Sequence, residues 1–105
     1  MSSGRPAGLL GVDDTKPTVL VVAGHIAPAD VPRRHEELAA GLPATAADVV
    51  CDVGGLVRPT LAAVELLALL QLTARRRGCR VALRGTGREL RLLLDLVGLG
   101  ALARE

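Results

Sequence analysis

Few side chains in this sequence are suited to catalysis, and their spacing excludes more chemistry than it offers. Cys51 and Cys79 have neither a C-x-x-C spacing nor a histidine cluster beside them, so a metal site is not expected. Each falls in an apolar run that reads as a strand, where burial disfavours the thiolate a nucleophile needs. The only serines, Ser2 and Ser3, stand in the N-terminal segment. His25 follows the first strand-like run, at the sheet edge where α/β proteins build their sites. A lone histidine there is more simply a surface or capping group. Arg84-Gly85-Thr86-Gly87 has the small residues of a phosphate-cradling turn ahead of a helix N-terminus. It lacks G-x-G-x-x-G, and no Walker lysine follows. A capped loop-to-helix join explains it. No catalytic residue, cofactor or metal is expected.

The most informative stretch is Val49 to Leu70, VVCDVGGLVRPTLAAVELLALL. It reads as a buried strand that passes through Gly54-Gly55 and Arg58-Pro59 into an apolar helix. Between Val57 and Val64, only Arg58 and Thr60 carry groups able to react or bind. Thr60, just after Pro59, is a candidate N-cap.

The elements around this junction follow from periodicity. Residues 1–17 hold Ser, Gly, Pro and paired Asp and read as a flexible arm, with Leu9 to Val12 as a candidate short strand. Residues 18–105 read as one domain. Thr18 to Ala23, TVLVVA, predicts a strand buried on both faces. Asp30 is the candidate cap of a helix to Ala40, with Pro32 in its first turn, where the missing N–H costs nothing. Val31, His35, Leu38 and Leu42 lie at helical spacing, and Gly41 suits a left-handed helix end.

Val49 to Val53 is the second buried strand, and Thr60 to Arg77 is the longest helix, stopped by Gly78. Cys79 to Leu83 is the third strand. Thr86-Gly87-Arg88-Glu89 has the form of a capping box. The helix it opens places Leu90, Leu93, Leu94 and Val97 on one stripe, and Gly98 ends it. Strands alternating with helices imply right-handed crossovers and a mainly parallel or mixed sheet. About four strands with three helices are expected.

Composition narrows the partners. The 105 residues are half hydrophobic yet contain no Phe, Tyr or Trp. A chain this short buries only about 60–65% of its unfolded surface, so its core must be Leu, Val and Ala in close contact. Without aromatics, base stacking on single-stranded nucleic acid is disfavoured. The net charge of +2 is weak, and Arg75 to Arg77 fit the negative end of a helix dipole without any ligand. No nucleic-acid partner is expected. Glu65 interrupts the longest apolar run, so no membrane insertion is expected. No signal peptide is legible, and two unpaired thiols fit a cytoplasmic protein. Leu92, Leu96 and Leu99 form a second apolar stripe on the last helix, either a wide core face or a partner or homodimer surface.

The order of these motifs resembles the STAS family, the domain shared by anti-sigma-factor antagonists and the cytoplasmic tails of sulfate transporters. Val49-Val50-Cys51-Asp52-Val53-Gly54-Gly55-Leu56 is similar to the family's "vvlDlsgv" strand. Arg76 to Leu83 matches the strand after the long helix, and Leu90 to Leu99, LRLLLDLVGL, matches the terminal "lleltGL" helix. Gly24-His25-Ile26-Ala27 lies where the family often has Gly-Glu-Leu-Asp.

The departure is in the regulatory loop. The antagonists carry an Asp-Ser-Ser-Gly segment that an anti-sigma kinase phosphorylates on Ser. Aligned on the strand, Thr60 takes the Asp position, Leu61 and Ala62 the two Ser positions, and Ala63 the Gly. Thr60 is then the only candidate phosphoacceptor.

The resemblance implies a bacterial regulatory module that docks an anti-sigma-factor kinase-like partner in transcription regulation. Its candidate partner-binding residues are Gly24, His25, Arg58, Pro59, Thr60, Leu61, Ala62 and Ala63, and switching by Ser phosphorylation is not expected. Two alternatives stand beside it. One is an accessory subunit of a lipid-transport ATPase complex. The other is a small-nucleotide or lipid binder at Gly85-Thr86-Gly87.

Overall fold

Each of the three strand-like runs forms a strand: β1 (Thr18–Val21), β2 (Asp48–Asp52) and β3 (Arg80–Arg84), in spatial order β1-β2-β3 and all parallel. Three helices follow the strands in turn: α1 (Val31–Ala40), α2 (Leu61–Arg76) and α3 (Arg88–Leu96). The architecture is α/β. This computed structural model describes residues 18–100. The expected arm and its candidate strand Leu9–Val12 lie outside the described residues. The expected count of about four strands therefore becomes three among the described residues.

The register explains which face of the sheet is covered. Leu20, Cys51 and Leu83 stand side by side in one row, and all are buried. With Val49 and the buried side chains of the helices they form one continuous core. Leu66, Leu67 and Leu70 of α2 are at most 2% exposed and lie at its centre. Each contributes about 1.5–3 kcal/mol by leaving water. The neighbouring rows point the other way because side chains alternate along a strand. Val19 is 45% exposed and Val21 59% exposed. The expectation that β1 is buried on both faces is corrected: among the described residues helix cover reaches one face only, and a continuous β-branched run does not report this.

Helix ends depart from expectation in three places. The chain enters α1 through a 3-10 turn, Pro28–Asp30. Asp30 has helical backbone angles, and its carboxylate reaches back to accept from the Ala27 N–H at 3.2 Å, so it caps this turn instead of α1. Gly41 has φ −88°, not a left-handed angle. It is suited to its place by size, since a Cβ there would come within 2.9 Å of Leu20 Cδ2.

The Thr86 capping box does not form. Helix α3 begins one residue later than expected, with Gly87 as its N-cap and no side-chain cap. The Thr86 hydroxyl is buried and has no hydrogen-bond partner among the described residues. By contrast, Thr60 caps α2 as expected, accepting from the Ala63 N–H at 3.1 Å. No helix among the described residues is long and apolar enough to cross a membrane.

Candidate functional site

The ends of β1 and β2 are sewn together beyond their last ladder pair. The Gly24 N–H donates to Gly55 O at 2.9 Å, and the Val57 N–H donates back to Gly24 O at 3.0 Å. The loop after β1, with the exposed His25, is thereby fixed against the loop that opens α2. A third link comes from a side chain: the Thr60 hydroxyl donates to Ile26 O at 3.1 Å. Ile26 is itself 1% exposed. Gly24-His25 and Arg58 to Leu61, expected together as one partner-binding set, are held side by side by these bonds.

Within that set the residues divide by burial. Arg58 and Leu61 are exposed, Pro59 and Thr60 half-buried, Ala62 and Ala63 buried. Ala62 and Ala63, expected to meet a partner, instead pack into the core, at 6% and 0% exposure. Their place in the first turn of α2 explains this, because the N-cap turns that face of the helix onto the sheet. Leu61, one residue earlier, points out.

Two features were missed in part by sequence reading. The first is an apolar display: Val57 is 78% exposed and Leu61 67%, on either side of Arg58-Pro59-Thr60. Leu61 was expected to face a partner through the family resemblance, whereas Val57 was not singled out, because its residue type signals burial. The second is the far wall of a cleft of about 270 Å³ between the β2 and β3 ends, of whose lining the sequence offers only Gly85 and Gly87 as a candidate ligand site. Val53, Leu56, Val57, Pro59 and Leu90 give it an apolar wall, with Arg88 and Glu89 at its side.

The cleft's floor depends on a close approach of two turns. A Cβ on Gly85 would lie 2.9 Å from both Cα and N of Gly54, and Gly85 has φ +79°, so only glycine fits there. The first turn is fixed by Asp52, whose carboxylate accepts from the Gly54 N–H at 2.9 Å and from Arg84 at 3.3 Å. The Gly54 hydrogen bond, then the Arg84 side chain, hold this carboxyl below its ordinary pKa. The D-x-G spacing signals the turn, whereas Arg84 is brought to Asp52 only by the β2–β3 register.

The thiols are not reactive groups of this site. Cys51 and Cys79 are free and buried. Burial, and secondarily the Asp52 charge, push the Cys51 thiol up to about 12, so it stays protonated at neutral pH. Cys79 donates to Thr45 O at 3.4 Å. Among the described residues no group of three His, Cys, Asp or Glu is placed to hold a metal ion. The geometry thus offers a scaffold fixed by backbone hydrogen bonds that displays Val57, Arg58 and Leu61.

Comparison with protein families finds one match over most of the chain: residues 12–104 fit the family described as "Mlab, STAS domain". No curated protein matches the chain.

Proposed function

The chain belongs to the STAS domain family, and on that footing we propose that it is a regulatory protein-interaction module, not an enzyme. It docks a partner through the start of α2 and the β1 and β2 ends beside it. One observation carries this reading. Leu61, at the position the resemblance assigns to a phosphoacceptor serine, is 67% exposed, and Val57, four residues earlier in the loop that opens α2, is 78% exposed. Covering such apolar area stabilises by about 25 cal/mol per Å², and Arg58 between them supplies a charge that orients the contact.

The module is constitutive. Leu61 and Ala62 have no hydroxyl to phosphorylate. The Thr60 hydroxyl is engaged as donor to Ile26 and as acceptor from Ala63. The partner is an anti-sigma-factor kinase-like protein of the cytoplasm.

A second reading keeps this face and changes the partner to a transport ATPase, of which the chain is an accessory subunit. The missing hydroxyls favour it, since a permanent subunit needs no phosphate switch.

Co-purification of the tagged chain, with the bound protein identified, separates the two: a kinase-like regulator supports the first reading and an ATPase the second. Leu61→Glu is expected to lose the bound protein while unfolding at the same temperature. Retention of either partner by that variant overturns the docking face. Phosphate on Thr60 after incubation with the regulator and ATP overturns the constitutive reading.

A further inference from the structure

Helix α3 shows a second apolar surface that shares no residue with the α2 face. Its inner side is committed: Leu90 is 2% exposed and Leu94 0%. Its outer side carries Leu92 at 56% exposure, Leu96 at 81% and, past the helix end, Val97 at 49%. The expected core stripe is therefore corrected at Val97, while Leu93 and Leu99 pack partly against the core. Of the expected dimer stripe Leu92, Leu96 and Leu99, the first two are open. Leu92 and Leu96 are four residues apart, so they stack on one line of the helix surface.

The charges on one flank of that line are arranged to match a copy of themselves. At 100° per residue, the exposed Glu89 falls on one flank of the leucine line, and Arg88, Arg91 and Asp95 fall together on the other. All three are exposed, and none is in an ion pair among the described residues. A two-fold axis between antiparallel helices brings like flanks together with their directions reversed. With the axis near Leu93, Arg91 of each copy lies level with Asp95 of the other, and the Leu92 side chains meet across the centre. On that flank the arginines of the first half of the helix then face the acid in the second half, twice.

We propose that α3 is the contact of a symmetric homodimer, in which two copies pack this helix antiparallel through Leu92 and Leu96 and pair Arg91 with Asp95. A nine-residue helix is about 14 Å long. One such face falls below the roughly 1,200 Å² at which stable interfaces begin. The state expected is a monomer–dimer equilibrium that shifts with concentration.

Sedimentation equilibrium of the full chain, from about 5 µM to about 1 mM, is expected to show the mass rising from one chain towards two. A single-chain mass throughout overturns the proposal. Leu96→Glu, at an exposed position, is expected to stay monomeric with unchanged helix content by circular dichroism. A dimer that survives it places the contact elsewhere and overturns the proposal.

Arg91→Glu and Asp95→Arg each set like charges opposite one another, and each is expected to weaken the dimer about tenfold. The double variant exchanges the signs and is expected to restore it. Equal affinity in all three variants overturns the antiparallel pairing. Partner binding through Leu61 is expected to be unaffected by these variants, so this proposal and the docking reading fail independently.

Discussion

The Thr60 hydroxyl bridges two chain segments, donating to the Ile26 carbonyl at 3.1 Å while accepting from the Ala63 N–H at 3.1 Å. One oxygen both caps α2 and ties its start to the loop after β1. Thr60→Ala is expected to lose both bonds and to cost about 1–3 kcal/mol in urea unfolding. Thr60→Ser keeps the hydroxyl and is expected to lie within about 1 kcal/mol of the parent. Equal loss in the two variants would assign the cost to the threonine methyl and not to the bridge.

Asp52 links the β2 turn to β3, and its lowered pKa fixes the sign of a pH effect. The folded state holds the charged carboxylate more firmly than the unfolded chain does. That contribution is present above the unfolded value of about 3.9 and is lost as pH falls through the lower folded value. The thermal midpoint of the parent is expected to drop more steeply below about pH 4 than that of Asp52→Asn. Parallel curves for the two proteins would remove Asp52 as the source.

Two glycines that look alike in sequence are expected to respond differently. Gly85→Ala meets both a φ of +79° and Gly54 backbone atoms at 2.9 Å, neither of which can give way cheaply. It is expected to destabilise by about 1–3 kcal/mol. Gly41→Ala has ordinary backbone angles and meets only the end of the Leu20 side chain. A shift within about 1 kcal/mol is expected, since a rotamer change suffices. Denaturation midpoints of the two variants make the comparison.

The Cys51 thiol, pushed up to about 12 by burial, is expected to resist alkylation in the native protein at pH 8. In denaturant it should react at the rate of a free thiol, because the unfolded value returns to about 8.5. Peptide mapping after brief iodoacetamide treatment checks this. Modification of native Cys51 at the unfolded rate would contradict the buried placement.

Much of the fold was legible because it depends on local signals. The β-branched run at Thr18, the Pro59-Thr60 step ahead of an apolar helix and the Leu90–Leu94 spacing act within a turn or two of chain. They yielded three strands and three helices in the right order. The helix ends were less legible. Thr86 and Glu89 carry the residues of a capping box, yet α3 starts at Arg88, so the cap geometry is never reached. Gly41 had the residue type of a left-handed terminus but answers to the nearness of Leu20, which is 21 positions away in the chain.

For the candidate site, the residues themselves determined that the start of α2 has no serine to phosphorylate and that Thr60 is its one hydroxyl. That is a matter of composition and needs no fold. Only the tertiary structure decided that Thr60 is engaged twice, that Ala62 and Ala63 turn inward while Leu61 and Val57 face outward, and that Arg84 reaches Asp52. The physical reason is that burial and hydrogen bonding here are properties of pairs brought together by the parallel register, 32 and 34 residues apart for Arg84–Asp52 and Thr60–Ile26. A side chain's own type carries no record of which partner the register will bring to it.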